Sequence, residues 1–390
     1  MRAIICGAGI AGLSLAWWLE HHGWEVVVVE HAPGPRGEGY MLDFFGSGYD
    51  AAELMGLLPG LRAVAYDVTG ILHVDARGRM TSRISYGTFR DLQQGRVLSL
   101  LRGDLEHTLS TALGGRIDLR FGRSIDAVTS ARDHVAVTLT DGTTERADLL
   151  VGADGIHSRV RELAFGPEHA FRRDLGYHTA AYVFTDRVLW SRLDRTFSMH
   201  TAPGRQAGCY RLRDGRVAAF HAHVTTEPDL PDDPRAALRR TYRDMGWVIP
   251  TMLAQCPEPP ALYYDRVAQI EMPRWTSGRV ALVGDACHAV SLLAGQGASM
   301  AMGASYVLAD ELARTDDVPS ALPRYEARVR PAIERKQAAG RRTAKWFVPS
   351  TRRRIALRDL VLRLADVAPL SVLLRPVLTT PGGSIVTRPG

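Results

Sequence analysis

Gly7-Ala8-Gly9-Ile10-Ala11-Gly12 constrains this chain more than anything in its composition, because three glycines at that spacing, weak evidence alone, stand in the context of a phosphate-binding turn. Arg2 to Cys6 reads as a short buried strand that opens directly onto them. Leu13, Leu15, Ala16 and Leu19 follow at helical spacing, Gly23 stops the helix, and Trp24 to Glu30 is a β-branched second strand. This is the strand, glycine loop, helix, strand context of a dinucleotide site. Gly7 permits the tight turn, Gly9 lets backbone approach a pyrophosphate, and Gly12 allows close helix–strand packing, with Ala11 in the same first turn. The helix start offers unpaired N–H groups and a positive dipole end to phosphates. Glu30 is placed to accept from an adenosine ribose, and its charge favours a 2′-hydroxyl over a 2′-phosphate. The apolar stretch from Ala3 to Leu19 does not read as a signal peptide, since the second strand follows in register and no small-residue cleavage site interrupts it.

The chain returns to this theme far downstream. Arg279 to Val283 is another short apolar strand, and it ends in Gly284-Asp285-Ala286. Asp285, at a strand end beside a helix start, suits a sugar or ribityl hydroxyl. Gly295-Gln296-Gly297 then opens a small-residue helix through Leu312, where backbone N–H groups can approach a flat ring or a phosphate. Taken alone, that segment also reads as a plain helix cap with packing glycines. Between the two ends lies a third strand–turn–helix segment, Leu149 to Arg161, carrying Gly152-Ala153-Asp154-Gly155 and Ser158-Arg159-Val160-Arg161.

With these three motifs in order, the chain resembles the p-hydroxybenzoate hydroxylase family of single-component (class A) flavoprotein monooxygenases over nearly its whole length. Arg36 to Asp43, Gly46-Ser47-Gly48 and Met55 to Leu58 resemble its tetracycline-inactivating branch. The resemblance implies an α/β fold: a Rossmann-like FAD/NAD(P)-binding domain of the GR2 type, an antiparallel β-sheet substrate domain and a C-terminal helix. It implies FAD as cofactor, NADPH or NADH as co-substrate, and dioxygen activated as a flavin C4a-hydroperoxide. By position it associates Arg36 with NADPH and Asp43, Arg102 and Asp154 with FAD. Arg102 also reads locally as a helix-start ion pair with Asp104 or Glu106. The implied reaction is oxygenation of an aromatic or polyketide-like small molecule, in natural-product tailoring or antibiotic inactivation. No catalytic side chain is assigned; His288 and Leu292 are the flavin-edge candidates, His288 as an orienter of backbone more than a base. The family's proline at Leu292 is missing, and Ser299 and Ala301 replace its asparagine and glycine, which puts oxygen handling in question rather than FAD binding. Two other readings stay open: a flavin-dependent halogenase, because Gly246-Trp247-Val248-Ile249-Pro250 matches half of that family's motif, and a non-redox cyclase, isomerase or sequestering protein.

The rest of the chain sets bounds. With 390 residues, 46% of them hydrophobic and 23% charged, it reads as a globular protein. The net charge of +6 is scattered arginine, densest at Arg341 to Arg354, and reads as a solvated helix face rather than a nucleic-acid surface. Cys6, Cys209, Cys256 and Cys287 show no metal spacing, so reduced thiols, a cytoplasmic location and no metal are expected. Leu357 to Leu378 carries too many charges to span a bilayer and reads as an amphipathic C-terminal helix. The expected division is a discontinuous FAD-binding domain at 1–68, 97–172 and 274–343, a substrate sheet at 69–96 and 173–273, and a helical segment at 344–390, as monomer or homodimer. Strand-like runs at Thr179 to Phe184, Thr196 to Thr201, Ala207 to Arg211 and Val217 to Val224, with a hairpin at Thr69 to Tyr86, build the sheet. On it His200, Tyr210, His221 and His223 are the polar candidates for substrate. Alternation sets His221 and His223 opposite Phe220 and Ala222, on a face that meets either a pocket or solvent.

Overall fold

The computed structural model describes residues 1–35, 40–227, 229–365 and 383–387. Arg36 therefore lies outside the described residues, as does most of the C-terminal segment beyond the helix Arg352–Ala365.

The β-branched run Glu25–Glu30 and the strand Arg2–Cys6 pair in parallel, and Leu149–Gly152 and Val280–Leu282 extend the same parallel sheet on one side. Asp118–Phe121 closes the other edge, and the short strand Thr276–Ser277 adds an antiparallel edge. The central strands read as continuous apolar runs because both faces of a parallel sheet are covered. Helix Ile10–His21 packs against helix Gly297–Ala313, and the thirty-residue helix Val318–Phe347 lies on the latter. One continuous core, from Ile4 and Val28 to Leu282 and Val307, fills these layers.

A second, seven-stranded sheet is antiparallel except where Thr196–Ala202 runs parallel to Gly70–Val74. The expected runs are present, and the Gly70–Val74 and Met80–Ser85 strands form the expected hairpin. The first long strand begins earlier, at Arg172, and an edge strand Tyr263–Ile270 pairs with it. One face of this sheet is covered by helices Pro234–Tyr242 and Ile249–Ala254 over a core of Tyr182, Cys209, Val217 and Met252. The other face turns toward the nucleotide-binding layers: Ala222 and Val267 pack with Leu293, and Ala218 and Tyr210 with Met41 and Leu101. The two-stranded ribbon of Met41–Phe45 and Val97–Leu101 links the two sheets. The four cysteines are free and buried. No helix among the described residues is long and apolar enough to cross a membrane.

Candidate active site

The two glycine stretches meet. A methyl group built on Gly284, which sits at φ 68°, would lie 2.8 Å from the Ala11 side chain, and Ser305 Oγ donates to the Ala11 carbonyl at 2.9 Å. The N-terminal stretch is shaped by its neighbours. Gly7 adopts φ 107° with its missing side chain against the Ala153 carbonyl, and Gly12 closes directly on the Gly7 carbonyl. Gly9 is different. A methyl there would make only ordinary contacts, 3.5 Å from Arg102 Nη2 and 3.6 Å from Glu106 Oε1. Packing within the protein does not require glycine at that place, whereas close approach of a ligand does. The helix that starts there has neither an acidic residue in its first turn nor a side-chain cap, so its leading N–H groups remain for an anion.

Charged groups converge on the same space. Arg102 opens the helix Arg102–Leu113 and pairs with Glu106 at 2.7 Å, while its N–H is held by the Tyr40 carbonyl at 3.1 Å. The local ion-pair reading of Arg102 is thus seen, with Glu106 as partner, and the pair stands over Gly9. Asp285 lies 3.7 Å from the position a Gly297 side chain would take. It is exposed, yet the surrounding protein raises its carboxyl above the usual range, with Arg102 pulling the other way. Both hold for a group on the wall of a deep cleft. Tyr263 behaves alike: 41% exposed, with burial raising its hydroxyl, and its ring 6.2 Å from that of Tyr40, whose hydroxyl burial pushes up to about 12. Glycine backbone, uncapped N–H groups, a guanidinium and carboxylates at two strand ends form a donor set that fits a dinucleotide such as FAD. The Gly9 cradle is the most specific part of that fit.

Several expected ligands also brace the protein. Glu30 accepts the N–H groups of Ala8 and Ala32, both at 2.8 Å, and so ties the glycine loop to its strand. Asp43 accepts from Ser99 Oγ at 2.9 Å across the ribbon and from Tyr86. Asp154 accepts from Ser158 Oγ and from the Val160 N–H, and burial raises its carboxyl; it shapes its own turn beside Gly7. Gln296 is buried and accepts from Lys336 on the long helix. Gly295 takes φ 64° at the end of the single turn Leu292–Ala294, and Leu292 is half-buried there. His288 Nε2 accepts the Gly284 N–H at 3.1 Å, and burial lowers its pKa to about 4. It is a neutral ring that holds backbone.

The substrate candidates separate by face. Tyr210 lies on the face turned toward the nucleotide-binding layers, where its hydroxyl accepts the Met41 N–H at 2.6 Å. His221 and His223 do share a face opposite Phe220 and Ala222, and there both are buried, lining neither of the surface cavities beside His200 and Ser198. Helices cover the face, and both rings pack on Tyr242. His200 shares that face and hydrogen-bonds the Val74 carbonyl at 2.9 Å. Trp247, the halogenase-like residue, packs on Gly78 of the hairpin turn, also away from the cleft. The face turned toward the nucleotide-binding layers instead carries an edge-to-face run of rings, the buried Tyr210 and three half-buried phenylalanines: Phe197 lies 5.3 Å from Tyr210 and 6.2 Å from Phe220, which is 6.1 Å from Phe347.

One connector was not singled out by sequence reasoning. Arg161, fully buried, donates to the Ala286 carbonyl at 2.9 Å and the Ile156 carbonyl at 2.7 Å, and so bolts the Asp154 turn to the Asp285 turn. The sequence placed Arg161 in the third motif without giving it a role; only the fold shows it pointing inward.

Comparison with known proteins places this geometry among relatives. Residues 1–338 match the family model described as FAD binding domain. An uncharacterized protein of Mycobacterium tuberculosis is 36% identical over 86% of this chain and 91% of its own length. A flavin-dependent monooxygenase from an unknown prokaryotic organism is 30% identical over 87% of this chain and 88% of its own. The crystal structure of tetracycline destructase Tet(51) superposes with a TM-score of 0.79 at 27% identity, covering 94% of this chain and 96% of that one.

Proposed function

We propose the reaction from a fixed premise: the chain belongs to the FAD binding domain family and is an FAD-dependent monooxygenase. On that premise it takes electrons from NADPH or NADH and places one atom of dioxygen on an aromatic or polyketide-like small molecule. Bound FAD supplies the redox chemistry and the activation of dioxygen. The chain's own residues supply the rest. Gly9 and the uncapped helix start would hold the pyrophosphate, Arg102 would balance its charge, and Glu30 and Asp285 stand at strand ends that would suit sugar and ribityl hydroxyls. His288 and Arg161 fix the Gly284–Ala286 backbone from behind.

The observation that carries the substrate class is the aromatic run Tyr210, Phe197, Phe220 and Phe347 on the face turned toward the nucleotide-binding layers. These rings pack edge to face and form an apolar wall that offers contact area to an apolar ring system and excludes water from it. Likeness to a tetracycline destructase supports a polycyclic, antibiotic-like substrate, in tailoring or inactivation. The test is to follow NADPH and NADH oxidation by the yellow holoprotein with and without phenols, polyketides and tetracycline, under labelled dioxygen. Substrate-stimulated oxidation with one labelled oxygen in the product is the expected result. Oxidation that no member of the panel stimulates, with only hydrogen peroxide formed, defeats the proposed substrate class.

A further inference from the structure

The edge strand Tyr263–Ile270 of the antiparallel sheet turns one row of side chains toward the nucleotide-binding layers. Alternation puts Tyr263, Asp265, Val267 and Gln269 in that row, and each meets a residue outside its own sheet. Gln269 Nε2 donates to the Val290 carbonyl at 2.8 Å, and Val267 packs with Leu293. Asp265 lies 3.5 Å from the His157 ring, in the turn that follows Asp154. Tyr263 ends the row, its ring centroid 6.2 Å from that of Tyr40. The next residue, Tyr264, faces the other way, onto the helix-covered core and His178.

The row opens along its length. Gln269 and Val267 are 0% and 1% exposed, Asp265 is 9% exposed and Tyr263 is 41% exposed. A seam that is shut at one end therefore widens at the other, and the Tyr263 ring stands where it opens.

What lies there is the phosphate side of the site. The Tyr40 carbonyl accepts the Arg102 N–H at 3.1 Å, and Arg102 Nη2 comes within 3.5 Å of the place a Gly9 side chain would take. The Tyr263 hydroxyl feels the same groups. Burial raises its pKa, Tyr40, Asp265 and Asp285 raise it further, and Arg102 pulls it down. It stays protonated at neutral pH and is a hydrogen-bond donor. Among the described residues it has no hydrogen-bond partner to give that proton to. An accessible, uncommitted donor beside Arg102 and Asp285 suits the oxygens that those two residues would hold. We propose that Tyr263 is an FAD-contacting residue whose hydroxyl donates a hydrogen bond to an oxygen of the phosphate-to-ribityl stretch, reaching it from the sheet opposite the glycine loop. The proposal rests on the FAD reading above.

Full-length protein freed of flavin is titrated with FAD for the wild type, Tyr263→Phe and Tyr264→Phe, and thermal unfolding of the flavin-free forms is measured alongside. Tyr263→Phe keeps the ring and loses only the hydroxyl, so it should weaken FAD binding by roughly two- to tenfold, the range one net hydrogen bond gives. Its flavin-free form should melt with the wild type, because that hydroxyl is committed to no described residue. Tyr264→Phe, one residue along and on the opposite face, should bind FAD as the wild type does. Wild-type FAD affinity in Tyr263→Phe overturns the proposal. So does an affinity loss matched by a lower melting temperature of the flavin-free form, since the hydroxyl would then be bracing the protein. Unchanged FAD affinity with slower flavin reduction by NADPH or NADH also overturns it, and assigns the hydroxyl to the nicotinamide instead. A wild-type protein that takes up no FAD overturns the cofactor reading itself, and the proposal with it.

Discussion

At the scale of single residues, Gly12 and Gly9 of the N-terminal loop do different things, and substitution separates them. Gly12 has no room: a methyl group would lie 1.9 Å from the Gly7 carbonyl oxygen, backbone against backbone. Gly12→Ala should therefore destabilise the fold by about 3 kcal/mol or more, read as a fall in the urea midpoint, whether or not FAD is present. Gly9 has room in the protein, since its nearest neighbours are the flexible ends of Arg102 and Glu106. Gly9→Ala should leave the flavin-free stability within about 0.5 kcal/mol of wild type while weakening FAD at least ~10-fold, because the methyl occupies the approach of the pyrophosphate. Equal stability losses in the two variants, or full FAD affinity in Gly9→Ala, would contradict this division.

At the scale of elements, the site is assembled by cross-links between segments far apart in sequence, and Arg161 is the most exposed to test. Its guanidinium is buried, which lowers its pKa, and it is kept by two carbonyls and by Glu168 at 3.3 Å. Arg161→Met should cost about 2–4 kcal/mol through two buried carbonyls left short of a charged donor. It should also weaken FAD, because Ala286 follows Asp285 directly; urea unfolding and FAD titration report the two effects. A midpoint equal to wild type would show that the bolt is dispensable. Such connections mark where the sequence stopped being legible. The glycine loop could be read because its spacing and its strand, turn and helix context are local in sequence, although Gly7 itself is held against Ala153 from the third motif. The sheet strands could be read from alternation, which sets residues on a common face but not what covers that face. His221 and His223 were grouped correctly and still left ambiguous, since the helices over them come from residues 234–254. The Tyr263–Ile270 strand escaped notice because Asp265 and Gln269 occupy buried positions on it, and polar residues there disguise the apolar period. Asp154 was associated with FAD through the resemblance alone, and the sequence did not show that its oxygens also cap its own turn.

For the whole molecule, the antiparallel sheet has a chemical side and a supporting side, and the supporting side carries a liability. Burial lowers the pKa of His221 to about 3 and of His223 to about 4, and it lowers that of His178 as well. His221 stacks on Tyr182 with centroids 5.6 Å apart, and the nearest cations, Arg205 beside His223 and Arg266 beside His178, further oppose protonation. His288, at about 4, adds the same bias under the flavin turn. Each ring is neutral when folded and takes up a proton near 6.5 when unfolded, so the unfolded chain binds more protons at acid pH. The stability these groups contribute is complete above that value and is lost as pH falls toward the folded values. Each fully buried histidine should cost roughly 1–2 kcal/mol by about pH 5, so Tm should drop steeply between about pH 7.5 and pH 5. His221→Phe keeps a ring on Tyr182 without a titrating group, and it should flatten that drop even if its Tm at neutral pH is lower. Thermal melts of both proteins across this range decide the matter: parallel pH profiles would remove the histidine layer as the source of acid sensitivity.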